Sequence, residues 1–228
     1  MSVYNFGVPP VPMECRHDGD VAVCEEVLVR QTYMKPKLGF LVKPHSVWLD
    51  VGANIGAFAV WASLKRAAEV VTYEPCAENF ALVCKNTEMN RVAGKNHKMA
   101  VGFGDAQIDV TYNPDTPARS GALTKKGITE TVEQVDFNRI VEELQPNGIK
   151  LDAEGAELAI LDGNMNLEGV DFFVMEYHAR FDKSTVKARE RLKPIASQFK
   201  NSRIPKALVT GDGEYPAWVD PICYFWNS

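Results

Sequence analysis

The sequence predicts an α/β fold: one domain with a mostly parallel, seven-stranded sheet covered by helices on both faces. Three observations predict it. From residue 46 onward, short apolar runs suited to buried strands alternate with segments whose apolar residues recur at helical spacing. The first, second and fourth of those runs end on acidic or glycine residues, Asp50-Val51-Gly52, Glu74 and Asp152-Ala153-Glu154-Gly155, as strands that deliver residues to a ligand edge do. The chain has 228 residues, 46% of them hydrophobic, enough for one domain with a substantial core.

Residues 1 to about 20 are rich in Pro and Gly and carry no period, which predicts an irregular arm packed on the domain. VAVCEEVLVRQTYM (21–34) fits strand and helix equally well, so the arm is taken as 1–45 and the domain as 46–228. SVWLDVG (46–52) is the first buried strand and NIGAFAVWASLKRA (54–67) its helix. EVVTYEP (69–75) is the second strand and CAENFALVCKNTEMN (76–90) the second helix, with Phe80, Val83 and Cys84 on one face. HKMAVG (97–102) is the third strand, and the alternating GDAQIDVTYN (104–113) suggests an added hairpin. Residues 114–130 read as loop, and VDFNRIVEELQP (135–146) as the third helix. GIKLDAEG (148–155) and AELAILDGN (156–164) form the fourth strand–helix pair. VDFFVMEYH (170–178) is the fifth strand, residues 184–200 an amphipathic basic helix, and ALVTG (207–211) and PICYFWN (221–227) two closing strands.

The formal net charge of −5 argues against a protein built to grip a phosphate backbone. Five cysteines, at 15, 24, 76, 84 and 223, include no C-x-x-C pair and predict reduced thiols rather than a disulfide framework or zinc site. MSVYNFGVPPVPMEC lacks the features of a secretory signal, and no apolar stretch approaches the roughly 20 residues that span a bilayer. A cytoplasmic location is therefore expected.

The most informative turn is Asp50-Val51-Gly52-Ala53-Asn54-Ile55-Gly56, between the first strand and its helix. In open α/β sheets ligands bind outside the carboxyl ends of the strands, and the glycines let backbone approach the ligand while the helix N-terminus offers free N–H groups. The spacing is G-x-N-x-G and not G-x-G-x-x-G, so pyrophosphate is not the expected ligand. Glu74 ends the second strand about 20 residues later, where an acid accepts hydrogen bonds from a ribose. A nucleoside without pyrophosphate is implied, and S-adenosylmethionine is the commonest such ligand.

Taken together, VWLDVGANIGAFAVWA, VVTYEPCAENFALVCKNTEMN and IKLDAEGAELAILDG resemble the FkbM-type methyltransferases in order and spacing. That family carries a D-V-G-A-N-x-G turn, an E-P followed by two Asn-bearing helical turns (here Asn86 and Asn90), and K-x-D-x-E-G-x-E (here Lys150 to Glu157). Glu176-Tyr177-His178 is similar to its acid-bearing closing strand, and the resemblance covers about residues 30–180. It implies a Rossmann-like class I methyltransferase that uses S-adenosylmethionine to methylate a hydroxyl of a sugar, glycan or small metabolite. The expected cofactor residues are Asp50, Gly52, Ala53, Asn54, Gly56, Glu74, Ala100 and Asp152.

Methyl transfer from a sulfonium is an in-line displacement, governed largely by positioning, and a hydroxyl acceptor must also lose a proton. Asp152 and Glu154, two residues apart at a strand end, can point to the same side. Asp152 is expected at the methionine end of the cofactor or at the acceptor. Glu154 is expected to orient the acceptor, act as base, or join Asp152 on a divalent cation, although no metal site is assigned. His178 is the expected general base, with Glu176 orienting it or binding the acceptor. Glu157 is expected to be structural, Lys150 to form an ion pair beneath the site with an acid such as Glu176, and Tyr33 to fold over the cofactor.

Pro75-Cys76 follows the second strand, not the fourth as in cytosine-C5 methyltransferases, and no Asp-Pro-Pro-aromatic turn of amino methyltransferases is present. An RNA ribose 2′-O-methyltransferase remains an alternative, with Lys150, Asp152 and Glu176 matching part of its Lys-Asp-Lys-Glu set and Lys125, Lys126, Lys187, Arg189 and Arg191 available for a basic patch. A non-catalytic nucleoside-binding relative is the other.

Overall fold

A computed structural model describes residues 1–112, 127–182, 185–209 and 220–227. The chain opens with β1 (Ser2–Phe6) and β2 (Val11–Cys15), an antiparallel hairpin in place of the irregular arm expected from composition. β1 buries only Phe6, so it carries no alternation to read. α1 (Asp18–Cys24) runs into a π-turn at Glu25–Val29, which resolves the ambiguous segment as helix.

The regular part follows as β3 (Val47–Val51), α2 (Ala57–Leu64), β4 (Glu69–Tyr73), α3 (Ala77–Met89) and β5 (Asn96–His97). β6 (Ala100–Gly102), β7 (Ala106–Tyr112) and β8 (Ile128–Asp136) come next, then α4 (Phe137–Leu144), β9 (Gly148–Leu151), α5 (Glu157–Asp162), β10 (Phe172–Glu176) and α6 (Ala179–Asp182). The chain closes with α7 (Thr185–Ala196), β11 (Asn201–Arg203), α8 (Lys206–Val209) and β12 (Ile222–Trp226).

The central sheet has seven strands in the order β11-β12-β10-β9-β3-β4-β5. The run from β10 to β5 is parallel, and β12 is antiparallel to both of its neighbours. The Rossmann-like α/β class is as expected; the strand membership differs in three places. The predicted third strand is divided, with His97 ending β5 in the central sheet and Ala100–Gly102 joining a separate sheet of order β6-β8-β7. Residues 128–130, read as loop, and 135–136, read as the start of the third helix, belong with the unassigned 131–134 to β8, which completes the hairpin expected after Gly104. Of ALVTG, the part among the described residues is helical, and the edge strand is the fully exposed Asn201–Arg203.

Period-two alternation along buried strands splits the core into two layers. Leu49, Val71, Phe173 and Met175 face α4, α5 and α7, whereas Trp48, Val70, Phe172 and Val174 face α2, α3 and the arm. Each large side chain buried this way contributes about 1.5–3 kcal/mol. α4 shows the local logic: Asp136 caps it by accepting from Arg139 N at 3.0 Å, and Phe137, Ile140 and Val141 form its buried stripe. Among the described residues, no helix is long and apolar enough to cross a membrane.

Parallel register sets the functional edge. Val51 lies beside both Tyr73 and Leu151, and Leu151 lies beside Met175. The residues that follow each strand, Gly52, Glu74, Asp152 and the β10 terminus, therefore emerge side by side. Chain direction across the sheet reverses between β3 and β9, the switch point where such sheets bind ligands.

Candidate active site

Gly52 sits at φ +76°, and a Cβ there would lie 1.7 Å from the main-chain oxygen of Asp152. Only glycine lets the turn after β3 settle onto the end of β9. Asn54 and Glu154 also occupy the left-handed region, at φ +54° and +50°. Such backbone concentrates at functional turns. Gly56, at φ +84°, starts α2 against the backbone of Val83.

Glu74 organises the first half of the site. Its Oε2 accepts from Asn54 N at 2.8 Å, and its Oε1 accepts from Cys76 N at 3.1 Å and Asn79 Nδ2 at 3.2 Å. Asn79 Oδ1 in turn accepts from Arg16, which forms a bidentate pair with the buried Asp20. Burial pushes the Glu74 carboxyl up to about 7 despite these donors. A cleft of about 620 Å³ opens beside it, lined by Gly52, Asn54, Glu74, Met99, Ala100, Ile108, Val110, Asp152 and Glu154 among others. Its mixed polar and apolar lining suits a small organic ligand.

A second cleft, of about 960 Å³, is lined by Glu26, Tyr33, Ala53, Lys150, Glu176 and Asp220 and shares Asn54, Asp152 and Glu154 with the first. Here the sequence expectations redistribute. Lys150 is buried and pairs with Asp50 at 3.2 Å and Asp152 at 3.5 Å, not with Glu176, while donating to Gly52 O at 2.6 Å. Asp50 is fully buried beneath the loop; it and Gly56 support the turn and, among the described lining residues, face neither cleft. Tyr33 lines the second cleft and donates to Asp152 Oδ2 at 2.9 Å. Burial alone would raise the Asp152 carboxyl, but Lys150 and His178 beside it hold it below the usual carboxylate value.

His178 is buried at 1% exposure, with Nε2 3.4 Å from Glu154 Oε2 and 3.9 Å from Asp152 Oδ1. The expected orienting partner, Glu176, does not hold the ring. Glu157 does, accepting from His178 N at 3.0 Å and from Nδ1 at 2.8 Å through one oxygen, and from Gly155 N at 2.8 Å through the other. Burial lowers the imidazole, but Glu157, Asp152 and Glu154 overcome this and raise it to about 9. Glu176 is pushed up to about 8 by burial and then by Asp152.

Sequence reasoning missed Asn79, Glu26 and Asp220. Asn79 carried a weak signal, five residues beyond Glu74; the other two come from parts of the chain with no readable motif. Of the basic residues considered for nucleic acid, Lys187, Arg189 and Arg191 lie on α7, where Arg191 pairs with Asp162 at 2.6 Å, and Lys125 and Lys126 lie outside the described residues.

The chain matches the family model of the methyltransferase FkbM domain over residues 50–200. Hexuronic acid methyltransferase AglP of Haloferax volcanii is 33% identical over 144 residues, covering 60% of this chain and 58% of that protein. The 31-O-demethyl-FK506 methyltransferase FkbM of Streptomyces tacrolimicus is 27% identical over 145 residues, covering 59% of this chain and 55% of that protein. The chain thus spans less than two thirds of these curated relatives. The crystal structure of monomeric WbdD is 13% identical with a TM-score of 0.46, covering 94% of this chain and 42% of that one.

Proposed function

Because the chain belongs to the FkbM methyltransferase domain family, we propose that it is an S-adenosylmethionine-dependent O-methyltransferase acting on a hydroxyl of a sugar-containing or other small acceptor. The observation that carries this reading is the junction of the two clefts at Asn54, Asp152 and Glu154. One cleft offers apolar walls and a buried carboxylate, and the other is polar. The relative described as a hexuronic acid methyltransferase supports a sugar as the acceptor.

The residues present suit the cofactor. Glu74 can accept from two ribose hydroxyls, and Met99, Ala100, Ile108 and Val110 provide an apolar wall for a purine. Asn54 Oδ1 is buried without a hydrogen-bond partner among the described residues, so it can accept from the amino group of a methionine moiety. When bound, S-adenosylmethionine supplies an electrophilic methyl group on a sulfonium.

Asp152, anchored by Tyr33 and Lys150, sits at the junction and fixes the angle at which the acceptor meets that methyl. The acceptor oxygen forms the new C–O bond as the C–S bond breaks, and its proton passes to the Glu154–His178 pair. At neutral pH an imidazole raised to about 9 already carries its proton. Glu154 is then the proton acceptor, and His178 steadies the charge of both carboxylates. Net charge −5 and a carboxylate-rich second cleft favour a small acceptor over RNA.

Calorimetric titration with S-adenosylmethionine and S-adenosylhomocysteine, with NAD as control, tests the reading. Binding of the first two in the micromolar range, followed by transfer of labelled methyl to a glycoside, supports it. Absence of binding to either sulfur nucleoside overturns it.

A further inference from the structure

We propose that Asp152, Glu154 and His178 form a binding site for one divalent cation, Mn²⁺ or Mg²⁺, where the two clefts meet. One oxygen from each carboxylate and one imidazole nitrogen lie within 4.8 Å of one another. The two separations from Nε2, 3.4 and 3.9 Å, already approach what an ion needs. Metal–oxygen bonds of about 2.1 Å place neighbouring octahedral ligands about 3.0 Å apart and opposite ones about 4.2 Å apart. Small side-chain rotations close the remainder.

A second and independent observation points to a ligand. His178 is 1% exposed; among the described residues Nε2 makes no hydrogen bond of good geometry and faces the two carboxylates at 3.4 and 3.9 Å, while Nδ1 is committed to Glu157. Ligating histidines characteristically donate their other ring N–H to a carboxylate, which fixes the ring and its basicity. Asp152 is oriented in the same way: Tyr33 and Lys150 hold Oδ2, so Oδ1 faces His178. Glu26, Asp152, Glu154, Glu176 and Asp220 line the second cleft, whereas Lys150 is the one cation among its described lining residues and is held by Asp50, Asp152 and Gly52 O.

The donor set of two carboxylate oxygens and one imidazole suits Mn²⁺ or Mg²⁺ better than a thiophilic metal. Binding exchanges a proton on Nε2 for the cation and releases it to solvent. Three protein ligands leave open positions toward the cleft, enough for two adjacent acceptor hydroxyls. On the methyltransferase reading, which this last step alone assumes, the cation lowers the pKa of the hydroxyl it holds. Monodentate ligation leaves the second Glu154 oxygen to take the departing proton.

The test is Mn²⁺ titration of the chelator-treated full chain, followed by the paramagnetic resonance signal of free Mn²⁺ and by calorimetry. Wild type is expected to bind one ion per chain with a dissociation constant below roughly 1 mM. Asp152→Asn and Glu154→Gln should each weaken it at least tenfold with circular dichroism unchanged, and Glu176→Gln should leave it within about threefold. A Glu176→Gln variant that loses the ion while Glu154→Gln keeps it places the ion on Glu176, His178 and Asp220 and overturns the assignment. So does wild type that binds S-adenosylhomocysteine but no Mn²⁺, since His178 then neutralises the carboxylates as a proton carrier alone. Mn²⁺ binding without S-adenosylhomocysteine binding keeps the cation site and removes the methyltransferase reading.

Discussion

One oxygen of Glu157 accepts both the main-chain N–H and the ring N–H of His178, joining the first turn of α5 to the end of β10 across 21 residues of sequence. Its other oxygen accepts from Gly155 N, so all three donors depend on a buried carboxylate. In Glu157→Gln the amide NH₂ must face a donor, either Gly155 N–H or His178. We expect a loss of about 1–3 kcal/mol in denaturant unfolding, the cost of an unmet buried donor, and a drop in turnover with S-adenosylhomocysteine affinity within about twofold. Reduced affinity at unchanged stability would place Glu157 in the cofactor site instead.

Glu74 links cofactor affinity to pH. Its carboxyl is raised by burial to about 7 in the free protein, with Asn54, Cys76 and Asn79 donating to it and Lys150 the nearby cation that favours the charged form. Ribose hydroxyls donate best to the ionised form, so binding should release a proton near neutrality. Affinity for S-adenosylhomocysteine should fall as pH drops below about 7, approaching tenfold per unit. Glu74→Gln should flatten that slope and weaken binding at pH 8 by roughly ten- to hundredfold, the worth of charge-assisted hydrogen bonds. A wild-type affinity constant from pH 5.5 to 8.5 would refute a carboxylate at the ribose.

Gly52 and Gly104 separate backbone strain from collision. Their φ angles are nearly equal, +76° and +78°, but a Cβ on Gly52 meets Asp152 O at 1.7 Å, whereas one on Gly104 meets nothing within 4 Å. Gly104→Ala should cost about 1 kcal/mol from the left-handed conformation alone. Gly52→Ala must also move the β9 terminus, so it should cost at least about 2 kcal/mol more and lose measurable cofactor binding. Equal losses in thermal unfolding would mean that the close approach of the two strand ends is not maintained in solution.

What was legible followed from burial on both sides of a strand. β3, β4, β9 and β10 read as continuous apolar runs because helices cover both faces, and their terminal acids stood out against that background. β8 was hidden because only Val132 and Val135 of its nine residues are buried, leaving a Thr- and Glu-rich segment that imitates a loop. β11 has no buried residue and exists because β12 presents it with main-chain partners. The residues of the site were largely legible, but their pairings were not. Spacing suggested that Glu176 orients His178; α5 brings Glu157 there instead, a consequence of packing that local sequence does not encode.

The two asparagines of α3 allow a test of whether the arm supports the cofactor loop. Asn86 Oδ1 accepts from Glu14 N at 2.7 Å, and its Nδ2 donates to Glu14 O at 3.2 Å and Ile55 O at 2.8 Å, so one side chain ties β2 to the glycine turn. Asn90 donates to Pro12 O at 2.8 Å and touches the arm without reaching the turn. Asn86→Ala leaves main-chain groups of both segments unmet and should cost on the order of 2–4 kcal/mol. It should also accelerate amide exchange over residues 2–15 and weaken S-adenosylhomocysteine binding several-fold. Asn90→Ala should accelerate exchange in the same hairpin while leaving affinity near wild type. If both variants loosen the hairpin and neither changes affinity, the arm is only a cover. If Asn86→Ala alone changes affinity, the geometry of the cofactor loop depends on a segment that precedes the matched domain.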